Sequence, residues 1–529
     1  MKGSLKGAIA VFIIFSLMVV GFFFGKPIWD DFRQQKTSDA RETKGKIKIA
    51  MDNWAGYVPL CSSEMKKRMR GSGWVLECQD DKASYDKRME RLYNGEIEFA
   101  VATVDSYILN AASHDFPGVI VAVIDKSKGG DAILAWQDKV SSLDALKGRT
   151  DIRVAFTPNS PSHHLGKAAV AHFDVPELLP KGDKRIETNG SEEALKKLLD
   201  RKADVAILWE PDVSRALAKK GIVKLLGTDQ TERLIVDILV INRKFSEKNS
   251  GVVKMFLETY FKVLKMYRDE PELLKKEIIA QSESSSNTKL SANAVDSLLK
   301  GIHWATLTEN AQEWFGISSD GGYADQGLVD TIDSTVRILI QSGDFAKNPI
   351  PQGDPYRLTE KEYVKELFTK GFAGFTMPGA KSAGQTPPAN SLEARFALLS
   401  EDGWNALREV GTLKIQPVTF QSGTADLGIQ GKEEIDRVAE TLKHYPNFRV
   451  VVKGHTSLEG DPVMNRKLSQ ERAESVARYL VVTYSIDANR LRPIGFGSER
   501  PLARQSGESN RAYSYRLPRV EISLVSEVY

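Results

Sequence analysis

Arg472 stands in the run Leu468-Ser469-Gln470-Glu471-Arg472-Ala473, shortly after Gly454-His455-Thr456-Ser457-Leu458-Glu459-Gly460 and Asn465. A guanidinium there can grip a carboxylate through two parallel hydrogen bonds. Glu459 and Asp461, both close in sequence, can face an ammonium group. A second polar set lies in the first half of the chain. Asp105, Asp131, Glu210 and Asp237 suit a cationic group, whereas Ser106, Ser160 and Ser162 fall where helices begin. Free N–H groups and the positive dipole end at such positions favour anions. A zwitterion and a small oxyanion both fit this inventory. There is also a plainer reading, in which Asp105, Ser106, Ser160 and Ser162 are helix caps and Trp54 and Tyr57 are core aromatics.

The elements that would position these residues follow from local patterning. Val450 and Val452 alternate with Arg449, Val451 and Lys453, which predicts a strand running into Gly454. Leu468, Val476 and Leu480 share one face of a helix after it. In the first half, strand and helix patterns alternate, which favours an α/β fold. Four strands break into polar loops: Ile47–Tyr57 with Trp54 and Tyr57, Phe99–Tyr107 with Asp105 and Ser106, Arg153–His163 with Ser160 and Ser162, and Asp204–Asp212 with Trp209 and Glu210. Gly129-Gly130-Asp131 forms a fifth loop, where Gly130 lets backbone approach a ligand. Ligands of open α/β sheets bind beyond the carboxyl ends of the strands, so five such loops can converge on one crevice.

Composition excludes several classes of function. The 73 basic and 70 acidic residues are well mixed and give a net charge of +3, which provides no reason to invoke nucleic acid. There is no P-loop, no G-x-S-x-G elbow and no H-E-x-x-H. His163 and His164 are adjacent, so on a helix they diverge too far to chelate one metal ion as an i, i+4 pair could. The chain is therefore expected to be neither enzyme nor metalloprotein and to need no cofactor. Cys61 and Cys78 are the only cysteines and are candidates for one disulfide in an oxidising compartment.

Lys2 and Lys6 precede the uncharged, apolar run Ala8–Phe24, and no small-x-small cleavage pattern follows it. Residues 1–27 are expected to form an uncleaved transmembrane signal anchor, with a cleaved signal peptide as the alternative. The lysine bias places the N-terminus in the cytoplasm. The run has no acidic residue of the kind a proton-conducting segment needs. Residues 28–45 read as a polar linker and 46–370 as an α/β domain. Residues 371–394 read as a Gly/Pro/Ser-rich linker and 395–529 as a small α+β domain.

The C-terminal motifs resemble the peptidoglycan-binding domain of outer-membrane-protein-A-like proteins and flagellar stator proteins, over roughly residues 412–525. That family reads G-H-T-D-x-x-G, an Asn, L-S-x-x-R-A and a terminal N-R-R-V-E. The resemblance implies a site built from Thr456, Ser457, Glu459, Asn465, Leu468, Arg472 and Arg519. It also implies that Arg472 holds the carboxylate of the peptidoglycan diamino acid. Two departures stand out: Ser457 occupies the Asp position, and Leu517-Pro518-Arg519 replaces N-R-R. Glu459 or Asp461 would then have to face the ammonium.

Residues 46–370 resemble the periplasmic solute-binding proteins of nitrate-, sulfonate- and taurine-type ABC transporters. The resemblance rests on Met51–Tyr57, Val101–Tyr107, Gly129–Ala132, Ser160–His163 and Trp209–Asp212. It implies a type II-like periplasmic-binding-protein fold. One lobe would take residues 46–144 with a return after Val236, and the other residues 148–232. Trp54, Asp105, Ser106, Asp131, Ser160, Ser162 and Trp209 would line the cleft, with Glu210 and Asp237 at its edge. The expected protein is a receptor at the bacterial inner membrane, single-pass, with its C-terminal domains periplasmic. It would bind a small anionic or zwitterionic solute and peptidoglycan, and an ABC permease or another membrane complex is the further partner considered. The competing expectation is a structural or signalling envelope protein whose lobes dock a protein.

Overall fold

The computed structural model describes residues 43–286, 292–318, 324–370, 396–421 and 423–527. The expected membrane anchor and the Gly/Pro/Ser-rich linker lie outside the described residues. Among the described residues, no helix is long and apolar enough to cross a membrane.

Fifteen strands are named here in chain order. The first sheet holds β1 (Gly45–Met51), β2 (Trp74–Asp80), β3 (Phe99–Thr103), β4 (Gly118–Ser127), β10 (Val236–Asn242) and β11 (Ile302–Trp304), in the order β11-β4-β10-β3-β1-β2. β1 runs parallel to β2 and β3, whereas β10 is antiparallel to both β3 and β4. Its central strands β3, β4 and β10 are near-continuous apolar runs, as strands buried on both faces are, and Phe99, Val101, Ile238 and Val240 are fully buried. A disulfide joins Cys61, at the end of helix Val58–Cys61, to Cys78 on the edge strand β2.

The second sheet holds β5 (Asp131–Trp136), β6 (Val154–Phe156), β7 (Arg185–Glu187), β8 (Val205–Trp209) and β9 (Ile222–Gly227), in the order β7-β6-β8-β5-β9. Its side chains divide with a period of two. Ile133, Ala135, Val205 and Ile207 face one core, whereas Ala132, Leu134, Ala206 and Leu208 face another. The expected lobe boundary at residue 144 is wrong. β5 pairs antiparallel with β8 and β9, so the chain has already crossed to the second lobe by Asp131. The strand pattern at 132–136 was legible, but its partner is set by tertiary pairing that no local pattern encodes.

The two lobes are joined by residues 128–130 and by the return from Gly227 to Val236. Ser127 Oγ and Thr228 Oγ1 lie 2.7 Å apart. Thr228 Oγ1 also accepts from the backbone N–H of Gly129 and of Asp131. The two crossovers are thus cross-linked at one threonine hydroxyl. Lys167, on helix Pro161–Phe173 of the second lobe, pairs with Asp344 at 2.8 Å.

The third sheet holds β12 (Arg408–Thr412), β13 (Arg449–His455), β14 (Leu491–Gly495) and β15 (Arg519–Ser526), in the order β12-β15-β13-β14. Helices Ile429–Lys443 and Pro462–Tyr484 complete this α+β domain. Its core is continuous with that of the second lobe: Leu143, Phe173 and Leu178 belong to the same apolar cluster as Val410, Tyr445 and Val450. Phe173 meets Tyr445 edge-on at 5.3 Å. At Gly411 an added Cβ would fall 2.7 Å from the Phe173 ring, so the seam closes only over a glycine. Backbone bonds cross the seam from Leu143 N to Val410 O, Lys414 N to His172 O and Glu232 N to His444 O.

His172 and His444 stack in this seam with centroids 5.7 Å apart. Burial holds both imidazoles below their ordinary value, His172 at about 3. The nearby Arg337 and His164 also disfavour charge on both rings, and His444 disfavours it on His172. A base whose folded pKa is depressed contributes stability that is complete above its unfolded value of about 6.5 and is lost as pH falls below it. Acidification from pH 7 to 5 is therefore expected to lower the melting temperature of the full chain. The double variant His172→Asn/His444→Asn, which keeps a hydrogen-bonding group near each Nδ1, should show a shallower fall. An unchanged slope in thermal melts would remove the two imidazoles as its cause.

Candidate functional site

A cavity of about 460 Å³, counted to its open mouth, lies between the first two sheets. β1 ends in Met51, and the loop after it supplies Asp52, Asn53 and Trp54 to the wall. Tyr57 follows in a short 3-10 turn. Asp131 begins β5, Trp209 ends β8 and Asp237 lies near the start of β10. Tyr85, Pro161, Ala83 and Ile235 complete the lining.

Of the eleven residues expected in the cleft, Trp54, Tyr57, Asp131, Trp209 and Asp237 line the cavity. The other six do not. Ser106 is the N3 residue of a capping box with Thr103, and its hydroxyl donates to Thr103 O. Ser160 is an N-cap that accepts from His163 N and donates to Thr157 O. Ser162 donates to Asp131 Oδ1 at 2.7 Å. Gly130 lies behind Trp54, whose ring would sit 2.7 Å from an added Cβ. Glu210 accepts from the N–H and hydroxyl of Ser214. Asp105 is buried in the first turn of its helix. The capping reading therefore holds for Ser106 and Ser160. Asp52 and Tyr85 were missed. Asp52 lies within a quoted segment, and its signal would have been a distant basic partner, Arg88.

The wall is acidic. Arg88 is fully buried and donates to Asp81, to Asp52 Oδ2 at 3.1 Å and to Val101 O. Asp131 accepts from Ser127 and Ser162 hydroxyls, one on each oxygen. Asp237 accepts from the Tyr57 hydroxyl and sits opposite Asp125 across the β10–β4 pair. Asp125 accepts from Trp54 Nε1 at 3.4 Å. Burial raises all three carboxyls: Asp131 to about 6, Asp125 to about 7 and Asp237 well above the carboxylate range, the last also by repulsion from Asp125. Asp105 is likewise pushed to about 6 by burial.

The second site lies on the C-terminal domain. β13 delivers Gly454 and His455, and Thr456 follows with its N–H bonded to Gly497 O. Asn465 donates to Glu459 O and so pins the loop. Ser457 Oγ lies at 3.5 Å from the same carbonyl. Asp461 is the N-cap of helix Pro462–Tyr484 and accepts from Met464 N. Leu468 is half-buried on that helix. Arg472 Nε donates to Thr424 O at 3.1 Å, and the guanidinium lies 5.0 Å from the Phe420 ring centroid. Its two terminal nitrogens show no partner among the described residues, which leaves the fork available. Arg519 is held by Glu521, Leu517 O and Arg500 O.

Residues 419–514 match the model of the OmpA family. The Probable lipoprotein YiaD of Escherichia coli K12 is 41% identical over 107 residues, which are 20% of this chain and 47% of that protein. The Peptidoglycan-binding protein ArfA of Mycobacterium tuberculosis is 34% identical over 101 residues, 19% of this chain and 31% of that one. The chain thus spans less than half the length of these curated relatives. Among solved structures, the periplasmic aliphatic sulphonate binding protein SsuA from Escherichia coli superposes with a TM-score of 0.45 at 17% identity, covering 60% of this chain and 99% of its own. The desulfurization enzyme DSZB gives 0.43 at 9% identity, covering 62% of this chain and 99% of its own. The chain therefore joins a two-sheet α/β region to a C-terminal domain that matches the OmpA family over residues 419–514.

The helix bearing Arg472 is held against the sheet by glycines. A Cβ on Gly454 would fall 2.1 Å from Ser469 O, and one on Gly495 2.3 Å from Gln470 N. Both obstacles are backbone, so the helix itself would have to shift. Gly454→Ala is expected to destabilise the domain by about 1–3 kcal/mol, as overpacking does. Urea unfolding would show this as a lower midpoint, and an unchanged midpoint would mean that the contact is looser than the geometry states.

Proposed function

We propose that the protein is a solute-binding receptor of the bacterial cell envelope, anchored in the inner membrane by its N-terminal segment and tethered to peptidoglycan by its C-terminal domain. The observation that supports it most is the polar, aromatic-walled cavity between the first two sheets, at the position where α/β folds bind ligands. That lining also favours a small solute over a docked protein, which would call for an apolar cleft. Binding rather than catalysis is the function proposed, with an ABC permease or another membrane complex as the receiver of the solute. The acidic lining supports the zwitterion over the bare oxyanion. At the wall-binding site, Arg472 would hold a carboxylate of the peptide stem. Asp461 is committed as a helix cap, so Glu459 is left to face the ammonium in place of the family's Asp.

Co-sedimentation of the full chain with purified sacculi tests the tether. Arg472→Ala should weaken binding roughly tenfold or more, the loss expected when a charge-assisted pair is removed. Glu459→Gln should weaken it too, and Ser457→Asp should strengthen it. Failure of the wild-type chain to sediment with sacculi would mean that the OmpA-family fold is kept here for another partner.

A further inference from the structure

We infer that the cleft recognises its solute through a positively charged nitrogen, an ammonium or amidinium-type group, seated between the carboxylates of Asp131 and Asp237 and the rings of Trp54, Tyr85 and Trp209. The inference rests on the receptor reading and names the chemical class of solute.

The cavity has no basic wall. Among the described residues neither Lys, Arg nor His lines it, whereas Asp52, Asp131 and Asp237 do. Arg88, the guanidinium behind it, is already divided between Asp52 and Asp81. The hydroxyls best placed to serve an oxyanion are spent on protein acceptors: Tyr57 on Asp237, Ser162 on Asp131 and Ser160 on Thr157 O. The donors that remain, on Asn53, Tyr85 and Trp209, are neutral. A sulfonate or phosphate would therefore enter beside carboxylates with no cation to meet it.

A cation would find the opposite. Asp131 is buried, with two hydroxyl donors and no positive partner among the described residues. Asp125, immediately behind Trp54, is fully buried, accepts from Trp54 Nε1 at 3.4 Å and shares a carboxyl–carboxylate contact with Asp237, and no ion pair with a cation of the protein offsets this acidic pair among the described residues. Burial holds these acids above the ordinary carboxylate range, which is the condition that a bound cation relieves. Aromatic faces add an attraction that is strongest when the cation is desolvated. Carboxylates and aromatic rings sharing one cleft form a cation site by general chemistry, whatever the rest of the solute carries.

The test is a thermal-shift and calorimetric screen of the full chain against matched pairs. Each amine is paired with its N-acetyl or hydroxyl counterpart, and taurine with ethanesulfonate. The expected hits all carry a protonated nitrogen, and their matched counterparts without that cation bind roughly tenfold more weakly or worse. Asp237→Asn should reduce affinity for those hits by a similar factor. The paired comparison on the wild-type chain does not depend on that variant folding. Hits that lack a cationic nitrogen, and are lost in Trp54→Ala, would overturn the amine inference and leave the receptor reading intact. A folded chain that responds to no compound of either kind would overturn the receptor reading and the inference together.

Discussion

The contact on which the arrangement of domains depends is the Phe173 ring lying over Gly411 and against Tyr445. It merges the second lobe and the OmpA-family domain into one apolar core. Phe173, Tyr445 and Leu143 are buried side chains, and full burial of a large apolar side chain stabilises by about 1.5–3 kcal/mol. Separating the two domains would return these surfaces to water and leave the backbone groups of Leu143, Lys414 and Glu232 without their partners. The α/β region and the OmpA-family domain are therefore not beads on a flexible string. The domain boundary read from the chain is a boundary of sequence motifs and not of packing.

The seam also reaches the crossover between the lobes. Asn447 donates to Asp229 O, and His444 Nδ1 meets Glu232 O at 3.1 Å, so the OmpA-family domain touches the return segment between Gly227 and Val236. Glu232 itself pairs with Lys126 on β4, and Arg233 with Asp325. One short segment thus has contacts with the first lobe, the second lobe and the C-terminal domain. The same segment carries Thr228, which bonds both crossovers, and Ile235, which lines the cavity.

Much of the cleft was legible because strand-to-helix junctions announce themselves. The break after Trp209 is a local signal that does place that ring in the cavity wall, whereas the equally clear run Phe99–Thr103 leads to Asp105 and Ser106, which do not line it. What local patterning could not resolve is the direction in which a polar side chain is spent. Ser160 and Ser162 are two residues apart at one helix start, yet one caps the helix and the other bonds Asp131 on a different strand. Tyr85 follows β2 in a stretch with no motif, and it reaches the cavity only because its helix packs beside the first sheet. The seam was illegible for the same reason. Phe173 and Gly411 look ordinary in sequence, and their meeting depends on two domains folding against each other.

The aspartates show how far residue type falls short of role. Asp461 ends as a helix cap, Asp81 as a counterion to Arg88, and Asp131 as a buried acid held only by hydroxyls. All three are short carboxylates near the ends of elements, so propensity treats them alike. Environment separates them. A cap is solvated and accepts N–H bonds at little cost, and a counterion recovers its desolvation through its partner. Asp131 does neither, and a buried charge without a partner is costly. A fold that keeps such a group in a cavity wall, with Asp237 in the same wall and Asp125 behind Trp54, has gathered its least compensated acids at one open cleft.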